Sequence, residues 1–171
     1  MKNSIQACVI SLLLSAVLFS CGRREPKFVI GVSQCSEDVW RNKLNDELRI
    51  AAFSNNNVEL KISSANDDAE LQTQQIDSFV KMGVDLLIVA PGQMKVTQAV
   101  DRAYDKGIPV IVFDRRTHSD KYTAYIGTDN EEMGRNIAHY LSSSVDGAER
   151  IVEICGLSTS SPAVARRSGF D

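Results

Sequence analysis

The sequence predicts an α/β fold, a doubly wound, Rossmann-like parallel sheet flanked by helices. Short apolar runs, typical of strands that are buried on both faces of a sheet, alternate with segments of helical periodicity. Each helical segment is long enough to form the right-handed crossover that connects two parallel strands. The predicted strands lie at 28–33, 58–63, 84–90 and 110–113, and the predicted helices at 38–54, 68–82 and 96–105.

The composition is that of an ordinary globular protein and argues against several classes of function. The chain has 171 residues, about one domain, and a net charge of −3, whereas a nucleic-acid-binding domain is expected to carry a basic face. Its 2 histidines are far apart in the sequence, so no metal site is predicted. The first strand is not followed by a Gly-x-Gly-x-x-Gly fingerprint and no P-loop is present, so no cofactor is predicted.

The N-terminal segment has the features of an export signal. Lys2 supplies a positive charge, and residues 7–19 form an uncharged run that is too short to span a bilayer comfortably. We therefore predict a signal peptide over 1–20 and a polar tether over 22–27. A small residue before Cys21, with a leucine three positions ahead of it, resembles a bacterial lipobox, which implies lipidation of Cys21 and a membrane anchor. An ordinary cleaved signal and an uncleaved anchor are the alternatives, and all three place the remaining chain in the periplasm or cell envelope.

The part of the chain beyond the tether contains two cysteines. Cys35 and Cys155 each lie at or near the end of a predicted strand. An oxidising compartment permits a disulfide between them, but their spacing does not show whether they meet. Two independent, partly buried thiols are the simpler expectation.

Capping signals and periodicity define the three helices of the first sheet. Ser36 and Asp38 are candidate N-caps of the first helix, and Gly83 is the expected C-cap of the second. Residues 55–57 end the first helix and residues 106–109 end the third. The stripes expected to face the sheet are Val39, Leu44, Leu48, Ala51 and Ala52, then Leu71, Gln75, Ile76, Phe79 and Val80, and then Val96, Ala99, Val100 and Ala103.

The fourth predicted strand ends in three charged residues, Asp114, Arg115 and Arg116. Ligands of open parallel sheets lie just beyond the carboxyl ends of the strands, where a carboxylate can accept and a guanidinium can donate hydrogen bonds to a sugar hydroxyl. Trp40, in the first turn of the first helix, should lie at the same edge, where it can stack on the apolar face of a sugar ring. Alternatively, Asp114 and Arg115 cap the strand and pair with each other, and Trp40 packs as core under the loop.

The remaining sequence predicts the beginning of a second unit. A short strand at 124–128 is followed by a cap at 129–130, a helix at 131–143 and a strand at 150–155. The chain then ends at 166–171, within a helix that has barely begun. Because a domain end normally shows a stop signal and a closed sheet, we expect a first lobe that is complete or nearly so and a truncated second lobe.

Four motifs resemble those of the type I periplasmic sugar-binding protein family, which includes ribose-binding proteins and shares its fold with LacI-type repressors. They are Phe28-Val-Ile-Gly-Val-Ser33, Gly107-Ile-Pro-Val-Ile-Val-Phe-Asp-Arg115, Tyr125-Ile-Gly-Thr-Asp-Asn130 and Arg166-Arg-Ser-Gly-Phe170. The resemblance covers residues 28–171 and implies two lobes that close on a ligand by a hinge motion. The N-terminal lobe would be 28–126, and 127–171 would begin the C-terminal lobe.

The same resemblance implies a set of ligand-binding residues. Asp114 and Arg115 match the pair that binds sugar hydroxyls in the family, and Trp40 matches the aromatic residue of the first loop. A polar residue of that loop, often asparagine in the family, is replaced here by Ser36 or Glu37, so the sugar itself is not specified. The expected ligand-binding positions are therefore Ser36, Glu37, Trp40, Asp114, Arg115 and Arg166, the last of which matches a second family arginine.

The run from Ile30 to Asn45 is also similar to the extracytoplasmic sensor domain of Bacteroidetes hybrid two-component systems. In those proteins a membrane helix, a histidine kinase, a receiver and a helix-turn-helix output follow the sensor. Three hypotheses result: a sugar-binding sensor domain, a lipid-anchored or free substrate-binding protein of a sugar ABC transporter, and an exported α/β enzyme. The enzyme is disfavoured because no histidine, serine elbow or second carboxylate is positioned to assist Asp114. A repressor is disfavoured because a signal segment occupies the place of the DNA-binding helices.

Overall fold

The computed structural model describes residues 28–145 and 150–171, so the predicted signal peptide, Cys21 and tether lie outside the described residues. The strands are β1 (Phe28–Gln34), β2 (Val58–Ser64), β3 (Leu86–Ala90), β4 (Val110–Phe113) and β5 (Ala124–Ile126). The helices are α1 (Val39–Phe53), α2 (Ala69–Met82), α3 (Thr97–Asp105), α4 (Asn130–Ser144) and α5 (Ser161–Phe170), with a 3₁₀ turn (Met94–Val96) before α3.

The five strands form one sheet in the order β2-β1-β3-β4-β5, and all neighbouring strands are parallel. This arrangement confirms the predicted doubly wound α/β fold. The connections from β1 lead to β2 on one side of it and then to β3 on the other, so the topological switch point lies between β1 and β3. Open α/β sheets bind their ligands in the crevice beyond the carboxyl ends of the strands at such a point. Gln34, the last residue of β1, is in register with Ser64 of β2 and Ala90 of β3, so three strand ends lie side by side there.

The main apolar core lies between the sheet and the adjacent helices α2 and α3. The stripe predicted for α3 is fully buried, whereas α2 turns Gln72 inward and leaves Leu71 36% exposed. Gly31 of β1 makes room for α2, because a Cβ at this position would lie 2.9 Å from the ring of Phe79. The core residues are Ala69, Ile76, Phe79, Val84, Leu87, Val89, Val96, Ala99, Val100, Ala103, Val110 and Val112.

The inward face of α1 differs from the predicted stripe. Val39, which was expected to face the sheet, is 89% exposed, and no member of that stripe is fully buried. The buried side chains of α1 are instead Arg41 and Asn45, which share a face because they are one helical turn apart. Asn45 Oδ1 accepts a hydrogen bond from Gln34 Nε2 at 2.8 Å, and Arg41 pairs with Asp114. These polar contacts to the strand ends determine the rotation of α1.

The strand predicted at 150–155 is absent, and this prediction is wrong. Residues 150–156 have no regular secondary structure, and Val152 and Ile154 are 85% and 94% exposed. In the sheet formed by the described residues, β2 and β5 are the edge strands. Residues 150–156 pair with neither of them, so their backbone takes no part in the sheet. An apolar run becomes a strand only when its N–H and C=O groups find partners.

Helices α4 and α5 cross at two glycines. A Cβ on Gly134 of α4 would overlap the carbonyl oxygen of Arg166, and a Cβ on Gly169 of α5 would overlap the carbonyl oxygen of Glu131. The close approach of the two backbones therefore requires residues without a side chain. Asp129 N-caps α4 by accepting from the N–H of Glu132 at 2.9 Å, which confirms the predicted helix start.

Two further expectations concern the thiols and the membrane. Cys35 and Cys155 are both free, as expected, but Cys155 is exposed rather than partly buried. Among the helices in 28–145 and 150–171, none has both the length and the apolar character needed to cross a membrane.

Candidate functional site

Gln72 holds together the carboxyl ends of β1 and β3. Its Nε2 donates to the carbonyl oxygen of Ala90 at 2.9 Å and to Ser33 Oγ at 3.3 Å, and its Oε1 accepts from the N–H of Gly92 at 2.9 Å. Gln72 is fully buried, and hydrogen bonds are stronger in such low-dielectric surroundings. A Cβ on Gly92 would lie 2.9 Å from Cβ of Cys35, so the turn after β3 lies directly against the loop after β1.

Arg115 extends to the same turn. Its Nη1 donates to the carbonyl oxygen of Gly92 at 2.7 Å, and its Nε lies 3.8 Å from Asp114 Oδ2. Within the described residues, nothing is hydrogen-bonded to Nη2, and the side chain is 25% exposed. Arg115 is thus fixed through one nitrogen, while another has no hydrogen-bond partner among the described residues.

Asp114 has a left-handed backbone conformation, with φ of 64°. Its N–H donates to the carbonyl of Ile126 at 2.8 Å, its carbonyl accepts from Tyr125 Oη at 3.0 Å, and the N–H of Arg115 donates to the carbonyl of Phe113 at 2.7 Å. A non-glycine residue in this region is strained by about 1–3 kcal/mol, and such residues cluster at ligand sites. Aspartate tolerates the conformation better than most residues do. The surrounding bonds therefore hold the backbone of Asp114 in this conformation at the end of β4.

Arg41 connects this carboxylate to the start of α1, and it is not among the site residues predicted from the sequence. It is 6% exposed, its Nη1 lies 2.6 Å from Asp38 Oδ2, and its Nη2 lies 3.3 Å from Asp114 Oδ2. Asp38 N-caps α1 by accepting from the N–H of Arg41 at 2.8 Å. This backbone bond, together with the guanidinium, holds the pKa of the Asp38 carboxyl below its usual value. The available sequence signal was an arginine three residues after an N-cap aspartate, a spacing that pairs opposite charges on a helix.

Trp40 stacks on Phe113. The ring centroids are 5.4 Å apart with an angle of 15° between the planes, and Arg41 Cζ lies 5.5 Å from the centroid of the indole ring. Trp40 is 52% exposed, so it is not packed as core under the loop. Because Phe113 directly precedes Asp114, the structure brings the indole, the carboxylate and Arg115 to one edge of the sheet.

The other predicted residues lie around this edge or apart from it. Ser36 is half-buried, and its Oγ donates to Asp38 Oδ2 at 3.4 Å, while Glu37 is exposed. Arg166, on α5, is exposed and donates through Nε to Asn130 Oδ1 at 2.9 Å. In the described part of the chain, Arg166 is not hydrogen-bonded to any other predicted ligand-binding residue.

Residues 159–161, where α5 begins, contact the loops that follow β3 and β4. The N–H of Met94 donates to the carbonyl of Thr159 at 3.3 Å, and the N–H of Arg116 donates to Ser161 Oγ at 2.7 Å. Ser160, between the two contacts, is only 7% exposed. The start of α5 therefore lies beside the residue that follows Arg115.

The chemistry of this edge suits an uncharged polar ligand. The guanidinium groups of Arg41 and Arg115 are balanced by the carboxylates of Asp38 and Asp114. Across 28–145 and 150–171, no three histidine, cysteine or acidic residues are grouped so as to hold a metal ion. An acceptor, a donor and an aromatic surface are the features that recognise a polyhydroxylated ring.

A doubly wound sheet with polar and aromatic side chains at its switch point is typical of proteins that bind small polar ligands. The chain belongs to the periplasmic binding protein domain family, whose model matches residues 28–171. This match confirms the membership that the motifs predicted.

Several solved structures and curated proteins are similar to the chain. The fructose-binding periplasmic domain of a hybrid two-component system is 50% identical, with a TM-score of 0.77 over 84% of this chain and 48% of that one. A galactofuranose-binding protein of known structure is 30% identical, with a TM-score of 0.71 over 84% of this chain and 50% of that one. The galactofuranose-binding protein of Escherichia coli (strain K12) is 29% identical over 98% of this chain and 51% of its own length.

The curated relatives are longer than the region they share with the chain. The D-xylose-binding periplasmic protein of Escherichia coli (strain K12) is 27% identical over 78% of this chain and 39% of its own length. The chain thus spans about half or less of the relatives it matches.

Proposed function

We propose that residues 28–171 are part of an extracytoplasmic domain that binds a monosaccharide or a related small sugar. The observation that carries this proposal is the meeting of three groups at the carboxyl edge of the sheet. Trp40 offers an apolar ring surface, Asp114 an acceptor and Arg115 a donor, and a sugar ring can interact with all three. The names of the relatives, which bind fructose, xylose and galactofuranose, support the same class of ligand.

The proposed domain has two lobes that close on the sugar. The first lobe is 28–126, and the second begins at 127. Ser36 and Glu37 contribute to the rim of the first lobe, and Arg166 approaches the sugar from the second. The hydrogen bonds from Met94 and Arg116 to residues 159–161 support this arrangement, because they join the two parts beside the proposed site.

We further propose that the domain is the sensor part of a hybrid two-component signalling protein. The chain is 50% identical to the periplasmic domain of such a system, which supports this role. Its identity to the relatives compared above that are named only as binding proteins is lower, at 27–30%. A histidine kinase and a membrane helix would then follow in the whole protein. A lipid-anchored or free binding protein of a sugar transporter is the second candidate. The ribose import binding protein of Bacillus subtilis (strain 168), 27% identical over 64% of this chain and 36% of its own length, supports it.

Two measurements on the full-length protein test these proposals. Calorimetric titration with D-fructose, D-ribose, D-xylose and D-galactose should show saturable binding of at least one sugar, and a flat titration with all four would contradict the sugar site. In membrane vesicles, the sugar that binds should change the rate of phosphate incorporation from radiolabelled ATP. Sugar binding without any phosphorylation, together with sugar-dependent uptake in cells, would favour the transport role instead.

A further inference from the structure

The backbone of Gly92 connects Gln72 to Arg115. Its N–H donates to Gln72 Oε1 at 2.9 Å, and its carbonyl accepts from Arg115 Nη1 at 2.7 Å. Within 28–145 and 150–171, this is the one hydrogen bond of the Arg115 side chain, since Asp114 Oδ2 lies 3.8 Å from its Nε. The direction in which the guanidinium points therefore depends on where the Gly92 carbonyl lies.

Gln72 determines the position of the turn that contains Gly92. Its Nε2 is bonded to the carbonyl of Ala90 and to Ser33 Oγ, so the amide bridges β1 and β3, and the side chain is 0% exposed. The turn is also closely packed, because a Cβ on Gly92 would lie 2.9 Å from Cβ of Cys35. A buried amide with both its nitrogen and its oxygen bonded has one orientation that satisfies all its partners. The turn after β3 is thereby tied to the sheet.

We propose that Gln72 is a positioning residue for the sugar and that it acts through Gly92 and Arg115. This inference rests on the proposed sugar site. Because Gln72 is fully buried, it does not contact a ligand that enters from solvent. Instead, it places the carbonyl that holds one terminal nitrogen of the guanidinium, and in a rigid planar fork this fixes where the second terminal nitrogen points. A charge-assisted hydrogen bond to a sugar oxygen depends on that direction.

Gln75 provides a matched control on the same helix. Its Nε2 donates at 2.8 Å to the carbonyl of Ser64, the last residue of β2. In the part of the chain that the structure describes, it has no bond to Gly92 or Arg115. Methionine at either position keeps the approximate volume of glutamine and removes the amide. Both variants thus lose a bond to a strand end, but only Gln72→Met loses the connection to Arg115.

A double-mutant cycle in the full-length protein tests the proposal. Calorimetry gives the Kd of the best-binding sugar of the four-sugar panel above for wild type, Gln72→Met, Arg115→Met and the double variant, with sugar in large excess where binding is weak. Gln72→Met should weaken binding about tenfold, because the guanidinium loses its fixed direction, whereas Gln75→Met should stay within about twofold of wild type. In the Arg115→Met background, Gln72→Met should change the Kd by less than about twofold, since the residue it acts through is absent.

Circular dichroism shows whether the variants fold. Gln72→Met leaves the carbonyl of Ala90 and the N–H of Gly92 without their side-chain partner. If this variant does not fold, Gln72→Asn carries the same expectation, because its side chain is one methylene shorter and does not keep the bonds to Ala90 and Gly92 together.

The possible outcomes separate the inference from the proposed function. A wild-type protein that binds none of the panel sugars overturns the proposed function and this inference with it. Binding by wild type with an unchanged Kd in the folded Gln72 variant overturns the inference alone. Equal losses in the wild-type and Arg115→Met backgrounds also overturn it, because additive effects indicate a structural role that does not pass through Arg115. Comparable losses in Gln72→Met and Gln75→Met overturn it as well, since any lost bond to a strand end would then weaken binding.

Discussion

Replacing Asp114 by asparagine is the sharpest single-residue test of the proposed site. Asparagine keeps the shape of the side chain and, like aspartate, tolerates the observed φ of 64°, whereas alanine would add backbone strain. The change removes the negative charge from the acceptor that faces the ligand. A hydrogen bond to a charged group contributes roughly 1.5–3 kcal/mol, about 1–1.5 kcal/mol more than one to the neutral amide oxygen that asparagine retains. Since every 1.4 kcal/mol is tenfold in affinity, Asp114→Asn should raise the sugar Kd by about 5- to 12-fold.

Calorimetric titration of the full-length protein measures this effect directly. Asp46→Asn is a suitable control, because it removes the same charge from a side chain of α1 that is 62% exposed and that forms an ion pair with Arg49. Arg41 keeps its partner Asp38 in the Asp114 variant, so no buried cation is left unpaired. An affinity within about twofold of wild type in folded Asp114→Asn would refute the assignment of this carboxylate as the ligand acceptor.

Three further substitutions probe the aromatic surface, the first helix cap and the helix crossing. Trp40→Ala should weaken sugar binding by roughly 2- to 10-fold through the lost ring contact, and unchanged calorimetric affinity would exclude stacking on the indole. Asp38→Ala should lower the free energy of unfolding in urea by about 0.5–2 kcal/mol. The pKa of Asp38 is lowered in the folded state, so the ionic part of its contribution is present above about pH 4 and is lost as pH falls through the lowered pKa. Wild type and Asp38→Ala should therefore converge in acid, and a constant difference would contradict this cause. Gly134→Ala should destabilise the α4–α5 pair by about 1–3 kcal/mol, because its Cβ meets the backbone of α5, and an unchanged melting temperature would contradict that packing.

The regular elements of the sheet could be predicted because their signals are local. Strands of a parallel sheet are buried on both faces and appear as near-continuous apolar runs, as β4 does. The stripe of α3 was predicted correctly because its members are all apolar and buried and follow the helical period. The strand expected at 150–155 was not formed, because strand formation depends on a neighbour that a local pattern does not reveal.

The meeting of Trp40, Asp114 and Arg115 at one edge of the sheet could be predicted, but the contacts that connect these residues could not. Asp114 and Arg115 follow a buried strand, which places them at the ligand edge of any parallel α/β sheet. Arg41 was missed because its partner Asp114 is 73 residues away in sequence, and a buried arginine in a helix breaks the apolar pattern used to find the inward face. Gln72 was missed for the same reason, since its bonds to Ser33, Ala90 and Gly92 are all long-range. The left-handed backbone at Asp114 has no sequence signal of its own.

A crystal structure of the full-length extracytoplasmic domain with bound D-fructose, or with whichever panel sugar binds, tests the central claim most directly. We expect the sugar ring to lie against the exposed part of the Trp40 indole, with one hydroxyl about 2.7–3.0 Å from Asp114 Oδ1 and one oxygen at a similar distance from Arg115 Nη2. A sugar found instead in the groove between α4, α5 and residues 151–156, with the edge at Asp114 free of ligand, would contradict it.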